Sequence, residues 1–192
     1  MERYPDLNKL RILHYPDPRL RGKAGQIKQV DSFLQEMNAR MSELMEQAHG
    51  VGLAATQLGL PIRFIVINPE GEEGKPQAFI NPVILERTGR VVEEEGCLSV
   101  PGIHARVRRA LHVSVRAQLL TGETVEIEAE GLAARVWQHE LDHLDGSLFV
   151  DRLGVTKKIL IASRLHDLEK AFEDEAPKIH PEETKSAAKR RQ

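Results

Sequence analysis

The chain has 192 residues, 41% of them hydrophobic and 29% charged, with a formal net charge of -2, a balance typical of one globular domain and far from the basic surplus of a protein that coats nucleic acid. Its single cysteine, Cys97, excludes an intramolecular disulfide and with it a disulfide-stapled secreted scaffold. No run of eighteen apolar residues is present, and the opening residues lack the apolar stretch and cleavage site of a secretory signal, so no membrane association and a cytoplasmic location are expected.

The first element with a clear period lies between Asp31 and Ala48, where Leu34, Met37, Met41, Leu44, Met45 and Ala48 recur at helical spacing. A Ser32/Gln35 capping pattern opens it and Gly50 closes it. The following segment, Gly50 to Leu60, mixes glycines, small residues and a glutamine; it is too flexible for a helix interior and too apolar for a solvated loop, and reads as a packed loop or strand. β-rich runs follow at Arg63 to Ile67, Gln77 to Asn81 and Val83 to Val92, separated by a glycine- and glutamate-rich turn and by Pro82. From Leu111 to Ala117 and again from Val125 to Ala129 apolar and polar residues alternate about a Thr121-Gly122 turn, which predicts an antiparallel hairpin with one buried face. Gly131 to Asp145 reads as a helix lying in the core, ended by Gly146. A last helix opens at Thr156 and carries Ile159, Leu160, Leu165, Leu168 and Phe172; residues 173–192 are charged and proline-broken, and a disordered tail is expected there. The fold class predicted is α+β, with antiparallel or mixed sheets packed around a central helix and a further helix at the C-terminus. A catalytic domain over residues 1–172 and a tail over 173–192 complete the division.

The chemistry concentrates in His139-Glu140-Leu141-Asp142-His143. Residues four apart on a helix project from nearly one face, so the two imidazoles can grip one ion while Glu140 stands beside it as a base for hydrolysis. A catalytic divalent site takes a third protein ligand and keeps a position open. The metzincin pattern places its third histidine at Phe149 and so fails; a thermolysin-like site would draw on Glu169. Cys97, in the short segment Glu95 to Pro101, is the remaining candidate, although on the residues alone a small buried hydrophobe is the favoured reading.

Three segments, Gly50-Val51-Gly52-Leu53-Ala54-Ala55-Thr56-Gln57, Glu95-Gly96-Cys97-Leu98-Ser99 and Gln138-His139-Glu140-Leu141-Asp142-His143, resemble in order and spacing the three signature motifs of the peptide deformylase family. The resemblance runs from about Leu10 to Arg164 and includes an N-terminal segment, His14 to Arg21. It implies that Cys97, His139 and His143 hold one Fe²⁺, with Zn²⁺, Ni²⁺ or Co²⁺ as substitutes, although the ligand set alone suggests zinc. It also implies that Glu140 is the general acid/base, and that the Gln57 side-chain amide and the Leu98 backbone N–H stabilise the oxyanion. The substrate implied is the N-formylmethionine of newly made polypeptides, and formate the product. The enzyme would meet those chains at the ribosome, docking through its basic C-terminal region.

For the methionine side chain, Leu132 and Val136 share a helix face with His139, and Val51 approaches from the first motif. Gly52 and Gly96 would let the substrate backbone come close and pair as an added strand. Arg109 is the choice for an arginine contact to substrate. Arg135 and Glu93 fall near the same pocket, either as a rim ion pair or as solvent-facing charges. Oligomeric state is not legible in the sequence.

Overall fold

The computed structural model describes residues 5–68 and 75–179. The predicted first helix is α1, Ser32–Gln47, and the methionine stripe is its buried face: Met37, Met41 and Met45 are wholly enclosed. Its N-cap is Asp31, not the expected Ser32, because the Asp31 carboxylate accepts the free N–H of Leu34 at 3.2 Å and Ser32 then takes the first helical position.

Among the described residues seven strands follow in chain order: β1 (Gly52–Ala54), β2 (Phe64–Ile67), β3 (Gln77–Thr88), β4 (Val91–Cys97), β5 (Val100–Arg109), β6 (His112–Gln118) and β7 (Thr124–Glu130). Five of them form an antiparallel sheet in the order β1-β2-β3-β6-β7, and β4 pairs with β5 as a separate antiparallel hairpin. Successive side chains of a strand face opposite ways, and β2 uses both. Phe64 and Val66 pack with the methionines of α1, while Ile65 and Ile67 pack with the second helix, α2 (Gly131–Leu144). Trp137 of α2 sits against Phe79 of β3, ring centroids 4.6 Å apart. Burying an aromatic or a methionine of this size contributes about 2–3 kcal/mol, so α2 is held against the sheet by several such contacts.

Two strand expectations are corrected. Pro82 does not end a strand; β3 runs through it from Gln77 to Thr88. The register shifts between Ile80 and Val83, Asn81 takes a left-handed φ of 51°, and the proline, which has no N–H to offer a ladder, sits at that bulge. Asn81 is fixed there by its side chain, which accepts from the Ile27 N–H and donates to the Ile27 carbonyl. The second correction is β5, Val100–Arg109, over which no strand is predicted. Its inward positions include Val100, Ile103, Val107 and Arg109, and the inward arginine disguises the alternation.

β5 carries a third cluster, in which Val100, Ile103 and Val107 pack with Leu148, Phe149 and Val150 of the 3-10 turn after α2. Ile161 of the final helix, α3 (Val155–Ile179), joins it. α3 runs past Glu173, where the tail was expected to start, and residues 180–192 lie outside the described residues. Among the described residues no helix is long and apolar enough to cross a membrane.

Candidate active site

α2 is unusual among the helices for its buried polar load: Arg135, Gln138, Glu140, Asp142 and His143 are all enclosed. An interior helix must satisfy each of these groups or lose stability. Gln138 does so by clamping the turn between β5 and β6, accepting from the Ala110 N–H and donating to the Ala110 and Ala134 carbonyls. Thr56 donates its hydroxyl to the His143 carbonyl at 3.0 Å, which ties the first motif to the same helix.

That anchoring brings His139 and His143 to the end of β4, where Cys97 sits. Cys97 Sγ lies 3.2 Å from His143 Nε2, and His143 Nε2 lies 3.3 Å from His139 Nε2. Their donor atoms all fall within 4.8 Å of one another. A tetrahedral ion bound at about 2.0–2.3 Å has its ligands about 3.3–3.6 Å apart, and the two edges that meet at His143 are close to that spacing. A thiolate with two imidazoles is also the donor chemistry such an ion selects. Electrostatics agree. Burial opposes charge on His139, yet Cys97 and Glu95 outweigh it and raise its pKa well above the ordinary value, while burial and the neighbouring His139 push His143 well down. His143 is therefore held neutral, the form in which an imidazole binds a cation.

Behind the ligands lies a network that the motif reading did not assign. Glu95 accepts from His139 Nδ1 at 3.1 Å, which turns Nε2 toward the metal position. The same carboxylate accepts from Arg109 Nε and Nη2 at 2.8 and 2.9 Å and from Arg135 Nη1 at 2.6 Å. Burial works against its charge, but the Arg109 and His139 hydrogen bonds prevail and hold it well below the usual carboxylate range. Arg109 completes its bonding on Asp142 at 2.6 Å, and Asp142 is held in turn by Arg152. Arg109, expected at the substrate, is thus buried behind α2 and lines a different hollow from the one that holds Glu140. A clue was available in the sequence: polar side chains recur through an otherwise apolar helix and must find partners.

The other expected residues gather at one pocket of about 230 Å³. Val51, Gly52, Gly96, Leu98, Leu132 and Val136 line it together with His139 and Glu140, and His49 and Glu94, which were not anticipated, join them. Leu132 is 53% exposed and marks its mouth, whereas Val136 is buried. Glu93 and Arg135 do form an ion pair at 3.2 Å beside it, and Arg135 Nη2 finds no acceptor among the described residues.

Glu140 is buried, its Oε2 has no partner among the described residues, and burial pushes its pKa up to about 7 against the lowering pull of His139 and Arg109. Gly52 makes room for it, since a Cβ there would collide with the Glu140 carboxylate. Gln57 is enclosed and rigidly oriented. Its Oε1 accepts from the Ala54 N–H at 2.8 Å, and its Nε2 donates to Ser99 Oγ at 3.0 Å and lies 3.7 Å from Cys97 Sγ. The site as a whole offers a cation position, a carboxylate able to exchange a proton near neutral pH and an oriented amide donor, the set required to hydrolyse an amide.

The chain resembles known proteins over most of its length. The family model for polypeptide deformylase matches residues 9–158. The peptide deformylase of Chromobacterium violaceum is 47% identical over 161 residues, covering 84% of this chain and 96% of that one. That of Xylella fastidiosa is 48% identical over 159 residues, covering 81% and 94%. Among solved structures, a plant peptide deformylase PDF1B superposes with a TM-score of 0.86 at 39% identity, covering 90% of this chain and 96% of that one. A peptide deformylase from Legionella pneumophila gives 0.79 at 40% identity, covering 84% and 96%. With the family matched over most of its length and relatives near half identity, the chain belongs to the polypeptide deformylase family, hydrolases that take the N-formyl group from new polypeptides.

Proposed function

We propose that this chain removes the formyl group from the N-terminal formylmethionine of newly made polypeptides, releasing formate, with Cys97, His139 and His143 as the protein ligands of one Fe²⁺ that Zn²⁺, Ni²⁺ or Co²⁺ can replace. The observation that carries the reading is the meeting of the Cys97, His139 and His143 donor atoms beside the buried carboxylate of Glu140, whose Oε2 has no partner among the described residues. When bound, the ion supplies Lewis acidity to water and to the formyl carbonyl.

The remaining work falls to the chain's own groups. Glu140 takes the proton of the attacking water and hands it to the departing amine nitrogen, a two-way role favoured by a pKa raised to about 7. Gln57 Nε2 and the Leu98 backbone N–H donate to the oxyanion that develops on the formyl carbon. Because Ala54 fixes the opposite end of the Gln57 amide, its donor is oriented before substrate arrives. The methionine side chain fills the pocket walled by Val51, Leu132 and Val136, and the peptide backbone lies along Gly52 and Gly96. Glu95 holds His139 in the tautomer that leaves Nε2 free, with Arg109 as its counter-charge.

The catalytic unit corresponds to residues 1–172, and the enzyme works in the cytoplasm on chains leaving the ribosome. Lys157, Lys158, Arg164 and Lys170 of α3 offer it a transient contact with that RNA-rich surface. The decisive experiment is anaerobic purification, measurement of bound metal, and assay of formate release from a formyl-methionyl tripeptide beside its unformylated control. Glu140→Ala is expected to keep the metal and lose turnover; failure of the parent protein to release formate would reject the reading.

A further inference from the structure

A second hollow, of about 340 Å³, lies where the ends of β3 and β5, the β3–β4 turn and the 3-10 turn after α2 converge. Five arginines contribute to its wall, Arg87, Arg90, Arg108, Arg109 and Arg152, although the chain as a whole carries a formal charge of -2. One carboxylate, Asp142, shares the lining. Two of the arginines are already committed: Arg109 spends its nitrogens on Glu95 and Asp142, and Arg152 holds Asp142. Arg87, Arg90 and Arg108 are exposed and form no ion pair among the described residues.

Like charges gathered in a concavity repel one another, and low-dielectric walls concentrate their field on whatever enters. Guanidinium presents a planar fork of N–H donors that matches the oxygens of a phosphate in pairs. Three forks offer more donors than one carboxylate, with about four acceptor sites, can use. The complement is a ligand with two or more oxyanion groups. The hollow takes no part in the catalysis described above, and it lies on the Gln138 and Asp142 side of α2, not on the face that presents Glu140. We infer that this hollow is a binding site for phosphate groups, either on a free diphosphate or on the sugar–phosphate backbone of RNA, gripped by Arg87, Arg90 and Arg108.

The test uses the full metal-loaded chain, titrated calorimetrically with inorganic pyrophosphate at low salt. One site is expected, weakened at least tenfold in Arg87→Gln/Arg108→Gln, with bound metal and formate release unchanged. Equal pyrophosphate binding by the double variant would place the anion at the metal centre and overturn the inference. A fluorescently labelled ten-nucleotide RNA separates the two sources. If RNA binds, is displaced by pyrophosphate, and loses affinity with salt at a log–log slope of about -2, near the value for three neutralised phosphates on a single strand, the phosphodiester is the ligand. If pyrophosphate binds and RNA does not, the free diphosphate is. Binding of neither, or RNA binding that survives both pyrophosphate and the double substitution, would refute the site.

Discussion

Glu95 accepts from His139 Nδ1 at 3.1 Å with its Oε2, and the same oxygen accepts from Arg109 Nη2 at 2.9 Å. The proposed metal ligand and the buried arginine therefore share one acceptor, and the orientation of His139 depends on a carboxylate that hydrogen bonds from Arg109 and His139 keep charged inside the protein. Glu95→Gln keeps the shape and removes the charge. It is expected to weaken metal binding about 10–100-fold and to cost about 3 kcal/mol of stability, since two buried guanidiniums each lose one of their charged partners. Chelator competition and thermal melting measure the two effects separately; unchanged metal affinity would remove Glu95 from its positioning role.

Gly52 is the position where the smallest change reaches the chemistry. A methyl group there would run into the Glu140 carboxylate, so Gly52→Ala is expected to displace the proton carrier without touching a ligand. Misplacement of a reacting group by about 1 Å costs on the order of 100-fold in rate. The expected result is a kcat lowered by about that factor with stoichiometric metal retained, read from steady-state formate release and elemental analysis of the same sample.

Arg135 brings an incompletely satisfied guanidinium to the pocket wall, beside the apolar side chains of Leu132 and Val136. Arg135→Met swaps that head group for a thioether of similar reach, and Arg109 still neutralises Glu95. KM for formylmethionyl peptides is expected to fall about threefold to tenfold, roughly 1 kcal/mol of added apolar contact, with kcat within a factor of two. A raised KM would instead mean that the guanidinium itself contacts substrate.

Tyr15 donates its hydroxyl to Glu169 Oε1 at 2.6 Å, joining the N-terminal segment to α3. That hydrogen bond, together with burial and the negative charge of Glu169, pushes the phenol up to about 12. A raised phenol pKa means that the folded state holds the proton more tightly than the unfolded chain does. The contribution is fully present below about pH 10, the unfolded value, and is lost as pH rises through about 12. Tyr15→Phe is expected to cost about 1 kcal/mol near neutral pH. Melting curves of the two proteins should converge above pH 12, and a gap that persists there would assign the difference to packing.

The sequence by itself determined what depends on short-range geometry. The period of the α1 methionines, the alternation of β6 and β7 and the one-turn separation of His139 and His143 are set by helix and strand repeats, and each stands in the structure where the spacing puts it. The three motifs also contain most of the residues that line the pocket, though not His49 or Glu94. Tertiary structure decided the rest, because those contacts join positions 14 to 54 residues apart whose approach follows from packing, not from a helix or strand repeat. Cys97 could have been a buried hydrophobe until β4 carried its sulfur to His143. Glu95 and Asp142 were unremarkable letters inside motifs until Arg109, on a strand hidden by that same inward arginine, was buried between them. Pro82 read as a break because a proline cannot complete a regular ladder, and only the Asn81 bulge, fixed from Ile27 far up the chain, let β3 pass through it.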